Sequence, residues 1–141
     1  NNLTGKTNTQ VAAFYVSLFK RNGQTAPPGP PKTDAQVLAT ALAVYVTNRS
    51  LAGNVAMAYG FEVSESGVGA ATFNVSNNGA AFGVANGSSV TVINLLLAVN
   101  AKTRRGLLFD LDNSGTISNS ERAFREMANS VFSGINETGD I

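Results

Sequence analysis

The chain has 141 residues, of which 43% are apolar and 13% are charged, and it contains no cysteine, histidine or tryptophan. Without thiol or imidazole groups, a cysteine nucleophile, a Ser-His-Asp triad and the usual zinc and haem ligand sets are excluded. The length suits one domain with a hydrophobic core, the net charge of +1 gives no general basic field for nucleic acid, and no apolar run is long enough to span a bilayer.

Two helices with similar starts are predicted in the first third of the chain. Apolar residues recur at helical spacing over residues 8–21, behind a capping box that begins at Thr7. The pattern Lys-Thr-x-x-Gln-Val-x-Ala recurs 26 residues later, where Thr33 begins a second predicted capping box. The second helix, to about Thr47, is apolar almost all round, which predicts a place at the centre of the core. All four prolines lie between the helices, so residues 26–31 are predicted to be a stiff, extended connector.

A small β-hairpin is predicted as an insertion at about residues 58–86, where glycine and asparagine are frequent. Apolar residues tend to alternate there, which predicts strands at about 61–63 and 71–75. The glycine-containing segment 65–69 between them is typical of a hairpin loop.

Helical spacing returns in the last third of the chain. Residues 90–102 form one apolar segment, and residues 119–136 carry an apolar face behind a third capping box, which begins at Ser118. The expected fold class is therefore mainly α. It is a single domain over residues 1–141, built as a four- to five-helix bundle with a small inserted β-hairpin.

One motif carries chemistry, and it is the twelve-residue loop between the last two helices, residues 110–121. Calcium prefers six to eight hard oxygen ligands, and this loop offers oxygens at alternate positions. The predicted ligands of the metal are Asp110, Asp112, Ser114, Thr116, Ser118 and Glu121. Gly115 would supply a sharp turn, Thr116 its backbone carbonyl, and Glu121 both carboxylate oxygens, while Ser118 would bind directly or through water.

The loop resembles an EF-hand calcium loop of calmodulin-like proteins at every diagnostic position. Phe109 fits the aromatic residue that usually ends the incoming helix. Only three carboxylates face the ion, so the expected dissociation constant is weak, on the order of 10⁻⁵ to 10⁻³ M. Calcium sensors and dockerin modules carry two such loops and this chain has one, which favours a structural clip that fixes the angle between the last two helices.

A simpler interpretation of the same residues is an acidic turn in which Glu121 only caps the last helix. One carboxylate cannot fully serve both roles, because bidentate metal binding occupies the oxygens that would accept from Ser118. The ligand spacing, the glycine and the flanking helices together favour calcium. The distribution of charge also suits a cation site in the last third of the chain. Residues 1–105 carry eight basic and three acidic groups, whereas residues 106–141 carry two basic and six acidic groups.

Most of the chain resembles a module found near the C-terminus of large secreted bacterial surface proteins of the adhesin-like type. The segments that carry this resemblance are core and turn residues at 32–47, 59–64, 82–86 and 131–137. The resemblance implies a non-catalytic module, extracellular or at the cell surface, that supports attachment or assembly of a larger secreted protein.

The expected partners are the rest of a larger multidomain protein or a separate protein, with a homo-oligomer left open and neither nucleic acid nor membrane insertion expected. One alternative is a dockerin-like docking module, whose sign would be an exposed apolar stripe on the final helix at Phe124, Met127, Val131 or Phe132. Another is a self-assembling subunit of a surface layer or filament. An enzyme is not expected, because no nucleophile–base pair can be composed from this inventory.

Overall fold

A computed structural model describes residues 3–138, and four substantial helices supply most of the regular structure. The elements in chain order are α1 (Asn8–Phe19), α2 (Thr33–Thr47), α3 (Arg49–Ala52), β1 (Thr72–Asn74), α4 (Gly79–Phe82), β2 (Ser89–Thr91), α5 (Val92–Ala101), β3 (Thr103–Arg104), β4 (Leu107–Leu108) and α6 (Asn119–Thr138). Two 3₁₀ turns lie at Val55–Tyr59 and Gly67–Ala70. The expected mainly α fold class is confirmed, while both predicted domain limits, 1 and 141, lie outside the described residues.

The starts of α1 and α2 differ although their sequences are similar. At α1 the predicted capping box is present, since Gln10 N donates to the Thr7 hydroxyl at 3.2 Å and Thr7 N donates to the Gln10 side chain at 3.0 Å. At α2 the predicted box is wrong, because Lys32 occupies the cap position without a side-chain cap bond. The turn of the proline segment brings the Pro30 carbonyl to the Thr33 hydroxyl, which donates to it at 2.9 Å.

A row of threonines, spaced by seven residues, forms much of the buried face of α2. Thr33, Thr40 and Thr47 are all buried, and every hydroxyl among them has a partner. Thr40 Oγ1 donates to Asn136 Oδ1 on α6 at 3.0 Å, and Thr47 Oγ1 accepts from Val68 N at 3.0 Å. The helix packs against α1, α5 and α6, as its predicted central place requires, but through small hydroxyl side chains as well as apolar ones.

Residues 3–138 contain two separate two-stranded antiparallel sheets, whereas the sequence predicted one hairpin at about 58–86. The predicted strand at 71–75 is confirmed as β1, and the β3–β4 sheet lies outside the predicted insertion. β1 pairs with β2, so that Phe73 lies opposite Val90, and α4 lies in the connection. The predicted strand at 61–63 is wrong. The reason is that Ser64 bonds to the end of α2 instead, since its N–H donates to Thr47 O at 3.0 Å and its carbonyl accepts from Arg49 N at 2.8 Å.

The core joins α2, α4, α5 and α6 to the β1–β2 sheet. Its buried members include Val75, Phe82, Leu95, Val99, Val131 and Phe132. The predicted apolar face of α6 is confirmed, because Val131 and Phe132 are buried in this core and Phe124 and Met127 pack against it. The exposed stripe that docking through α6 would need is therefore absent from the described residues of this helix. Within residues 3–138, no helix combines the length and apolarity that crossing a membrane requires.

Close packing around α4 predicts that Gly79→Ala is destabilising. A Cβ at Gly79 would lie 2.5 Å from Val84 O and 2.7 Å from the carbonyl carbon of Ala85, and these are backbone atoms that cannot rotate away. We expect the free energy of unfolding to fall by about 1–3 kcal/mol, measured by urea denaturation. Gly23→Ala is the control, because nothing lies within 4 Å of a Cβ there. Equal midpoints for Gly79→Ala and wild type would show that α4 is packed less closely.

Candidate metal centre

The element that enters the predicted metal loop is a β-hairpin and not a helix. α5 ends at Ala101, and β3 then pairs with β4 in antiparallel register, with Thr103 opposite Leu108. The prediction that Phe109 ends an incoming helix is thus wrong. The hairpin turn at Arg105 and Gly106, with φ of 49° and 78°, reverses the chain after α5. The loop lies between the last two helices as predicted, but in a strand–loop–helix unit.

Phe109 fixes the direction from which the chain enters the loop. Its φ is +66°, in the left-handed region, where a bulky side chain costs on the order of 1–2 kcal/mol. The ring is fully buried and stacks on Phe124 with centroids 6.0 Å apart, which holds the backbone in this conformation. Asp110 follows directly and is also buried.

The loop closes around the carboxylate of Asp110. Its two oxygens accept from Ser114 N at 2.9 Å and from Gly115 N at 3.0 Å. Gly115 has φ +81°, so the predicted sharp turn is confirmed, and a glycine is suited to it because it has no Cβ.

Three carboxylates converge in the loop, and together they can hold a metal ion. One oxygen from each of Asp110, Asp112 and Glu121 lies within 4.8 Å of the other two. Asp110 and Glu121 are buried and Asp112 is exposed, so the cluster opens to solvent on the side of Asp112. Like charges this close repel each other, and a bound cation offsets that repulsion.

Glu121 also caps α6, as the third predicted capping box requires. Its carboxylate accepts from Ser118 N and from the Ser118 hydroxyl, both at 2.8 Å, while Glu121 N donates to the Ser118 hydroxyl at 3.3 Å. The other oxygen accepts from Leu111 N at 2.7 Å. A carboxylate has about four lone-pair sites. Asp112 N lies 3.5 Å from the same oxygen as Leu111 N, so four donors face the Glu121 carboxylate. Binding a cation with both oxygens therefore requires the Ser118 hydroxyl to turn away and the long contact with Asp112 N to open.

The remaining predicted ligands lie along the same loop. Ser114 N donates to Asp112 at 3.0 Å, and the Ser114 hydroxyl donates to the Thr116 carbonyl at 3.2 Å. Two predicted ligand oxygens, the Ser114 hydroxyl and the Thr116 carbonyl, are thereby neighbours. Ser118 contributes its hydroxyl to Glu121, as described above. Direct ligation by Ser114, Thr116 and Ser118 stays a prediction.

Hydrogen bonds favour the charged form of two of the carboxyls. The hydroxyl and backbone N–H of Ser114 lower the pKa of Asp112 below its ordinary value. The backbone N–H and then the hydroxyl of Ser118 lower the pKa of Glu121. Both groups are thus anionic at neutral pH, which is the form that binds a cation.

The lowered pKa of Glu121 predicts an acid-sensitive loop in the metal-free protein. A carboxyl whose pKa is lower in the folded than in the unfolded chain stabilises the fold above its unfolded pKa, and this stabilisation disappears as pH falls through the folded pKa. In chelator, we expect Tm to fall as pH drops below 4.5, the ordinary pKa of glutamate, toward the lower pKa of the folded Glu121 carboxyl. Glu121→Gln should reduce the fall, whereas Glu126→Gln, exposed on the same helix, should not. A pH dependence unaltered by Glu121→Gln would contradict this.

Arg105 holds the outer side of the loop and was missed by sequence reasoning. Its Nε donates to Asn113 Oδ1 at 3.1 Å and its Nη2 donates to the Asn113 carbonyl at 2.6 Å. Asn113 has φ +58°, a conformation that asparagine tolerates better than most residues. Arg105 belongs to a short basic run with Lys102 and Arg104, and nothing in that run indicates this contact.

An ion pair between buried Arg125 and partly buried Asp34 contacts the strand that enters the loop and was also missed. Arg125 is 1% exposed, and its Nη2 donates to Asp34 Oδ1 at 3.0 Å. The second oxygen of Asp34 accepts from Arg21 Nη1 at 2.7 Å. Arg125 Nη1 donates to Leu108 O at 3.1 Å, and its Nε is buried with no acceptor among the described residues. On sequence alone, Asp34 is only a favourable charge at a helix start.

No protein-family model, curated protein or solved structure matches this chain. The resemblance to adhesin-like surface modules and the resemblance of residues 110–121 to an EF-hand loop accordingly stay predictions. The geometry itself establishes three clustered carboxylates that can hold a metal ion, placed between β4 and the start of α6.

Proposed function

We propose that this chain is a non-catalytic calcium-binding module in which one Ca²⁺ joins β4 to the start of α6. The observation that carries the proposal is the convergence of Asp110, Asp112 and Glu121 within 4.8 Å, at the first, third and last positions of a twelve-residue loop. The chain passes through these positions with Gly115 at the turn, which is the order a calcium loop requires.

The chemistry of the donors favours calcium over other metals. The chain has no histidine and no cysteine, so it lacks the imidazole and thiolate ligands that suit zinc or copper. Magnesium demands near-ideal octahedral geometry and releases water reluctantly, whereas calcium accepts flexible sets of carboxylates, hydroxyls, carbonyls and water. Three carboxylates with Ser114, Thr116 and Ser118 form such a mixed set.

The role proposed for the ion is structural. Calcium would offset repulsion among the three carboxylates and fix the loop that connects the β3–β4 hairpin to α6. Weak affinity suits millimolar extracellular calcium, and the low charge content agrees with such a location. With the resemblance to adhesin-like surface modules, this supports an extracellular or cell-surface role in attachment or assembly of a larger secreted protein.

Calorimetric titration with Ca²⁺ and Mg²⁺, together with thermal melts in calcium and in EGTA, tests the proposal. We expect one calcium site with a Kd on the order of 10⁻⁵ to 10⁻³ M and weaker magnesium binding. At a hundredfold excess over Kd, calcium should stabilise the fold by about 2.7 kcal/mol. If no heat of binding is measured and Tm is the same in calcium and in EGTA, the loop does not bind calcium and serves only to cap α6.

A second candidate, association with a protein surface, rests on an exposed apolar patch formed by the segment 51–61. Five large apolar side chains within eleven residues are each more than half exposed: Leu51, Val55, Met57, Tyr59 and Phe61. Such a patch is typical of contact surfaces, which favours docking or self-assembly through this region and not through α6. Sedimentation velocity over a concentration series tests self-assembly. Tyr59→Ser should weaken any association seen, and a monomer at every concentration would exclude it.

A further inference from the structure

The ion pair of Arg125 and Asp34 connects the metal loop to the N-terminal part of the domain. Arg125 lies one turn beyond Glu121 on α6, and its Nη1 donates to the carbonyl of Leu108, two residues before Asp110. One guanidinium thus touches the strand that enters the loop, and it belongs to the helix that leaves it. A constraint on the loop therefore acts on Arg125 in two ways, through α6, which carries it, and through Leu108, whose carbonyl it contacts.

Through Asp34, Arg125 is also connected to the end of α1. Its Nη2 donates to Asp34 Oδ1, and the second oxygen of Asp34 accepts from Arg21, just beyond the end of α1. Lys32 reinforces the same end, since its ammonium donates to the carbonyls of Phe19 and Arg21. The polar contacts of α1 with the rest of the domain are thus concentrated at its C-terminal end.

α1 is the most weakly anchored of the four long helices. Leu18 is its one buried residue, whereas Val16 and Phe19 are 44% and 52% exposed. Little buried apolar surface becomes exposed to water when such a helix detaches, so the free energy of opening it is low. A small change in the contact between Arg21 and Asp34 should then produce a measurable change in the protection of the α1 amides from hydrogen exchange.

We infer that calcium binding at residues 110–121 is coupled to the anchoring of α1, through Leu108, Arg125, Asp34 and Arg21. This coupling rests on the proposed calcium site. The ion restricts the loop and the first turn of α6, which holds the Arg125 guanidinium against Asp34 and so keeps the second Asp34 oxygen aligned on Arg21. Linkage requires the reverse effect, so that weaker anchoring of α1 lowers calcium affinity by the same factor.

Hydrogen exchange measured by mass spectrometry tests the coupling. In the full chain, we expect calcium to slow amide exchange several-fold in the second half of α1 as well as in residues 107–121. Arg21→Gln should abolish the response of α1 and leave the response of the loop, because Arg125 keeps Asp34 as its partner. Arg122→Gln is the matched control, since Arg122 lies on α6, is half exposed and pairs with Glu126. It should respond as wild type.

Calcium titrations of the same proteins, combined with the exchange data, separate a failure of the coupling, of its route and of the calcium site. If calcium binds and protects the loop but leaves exchange in α1 unchanged, the coupling is wrong and the calcium site stands. If α1 still responds in Arg21→Gln, the proposed route is wrong. If wild type binds no calcium, the proposed function fails and the coupling fails with it. A Kd that rises in Arg21→Gln but not in Arg122→Gln supports the coupling in the direction that linkage demands.

Discussion

Asp110→Ala is expected to abolish calcium binding and the calcium-dependent rise in Tm. Asp110 is fully buried, and its carboxylate lies within 4.8 Å of the other two. The same carboxylate accepts from Ser114 N and Gly115 N, so the substitution also removes the bonds that close the loop. A lower Tm in EGTA, relative to wild type, should therefore accompany the lost response. Calorimetric titration and paired thermal melts measure both effects.

Glu121→Gln distinguishes a metal ligand from a helix cap. Glutamine keeps an oxygen that can accept from Ser118, so much of the cap can survive, whereas the charge and bidentate binding are lost. If Glu121 is a ligand, calcium affinity should fall by tenfold or more while Tm in EGTA changes less than in Asp110→Ala. Glu137→Gln, an exposed substitution near the end of the same helix, serves as the matched control. Wild-type calcium affinity in Glu121→Gln would leave Glu121 as a cap only.

The features predicted best from sequence are those that depend on neighbouring residues. The twelve residues of the loop bring Asp110, Asp112 and Glu121 together because a turn at Gly115 and a helix start at Ser118 fix the geometry locally. The four long helices were also predictable, since each repeats apolar residues over several turns. The fold class and the acidic cluster both follow from these local signals.

Short strands were not predictable in the same way. β1 falls inside the predicted strand at 71–75, but strands as short as β2 and β4 hold too few positions to establish an alternating pattern, and the pairing of β1 with β2 depends on residues distant in sequence. The segment 61–63 has the right residue types for a strand, but within residues 3–138 no strand pairs with it. The β3–β4 hairpin before the loop was not predicted for the same reason. The last apolar residues of α5 continue directly into it, so the sequence shows no boundary there.

Long-range polar contacts gave no sequence signal at all. Asp34 and Arg125 are 91 residues apart, and an arginine on a helix is normally read as a solvent-facing charge. Thr33, Thr40 and Thr47 share a spacing of seven, but their burial follows from hydrogen bonds to α6 and to the chain after α3, as in the pair Thr40–Asn136. Buried polar residues become visible only when the structure supplies their partners.

Asp34→Ala is expected to be the most destabilising polar substitution outside the loop. It leaves Arg125, which is 1% exposed, as a buried positive charge whose remaining bond is to the Leu108 carbonyl. Removing one partner of a buried pair typically costs about 3–5 kcal/mol of unfolding free energy. Arg125→Met should cost less, because Asp34 is partly exposed and keeps Arg21 as its partner. Urea denaturation in EGTA measures these effects without interference from calcium.

The double variant Asp34→Ala/Arg125→Met decides why Asp34→Ala is destabilising. If the cost comes from an unpaired buried charge, removing that charge should recover much of the stability, and the double variant should be more stable than Asp34→Ala alone. If the cost instead comes from lost packing at the start of α2, the two single effects should add. The unpartnered Nε of Arg125 favours recovery, since methionine leaves no polar atom without an acceptor at that place. Additive losses would show that Asp34 stabilises the fold independently of Arg125.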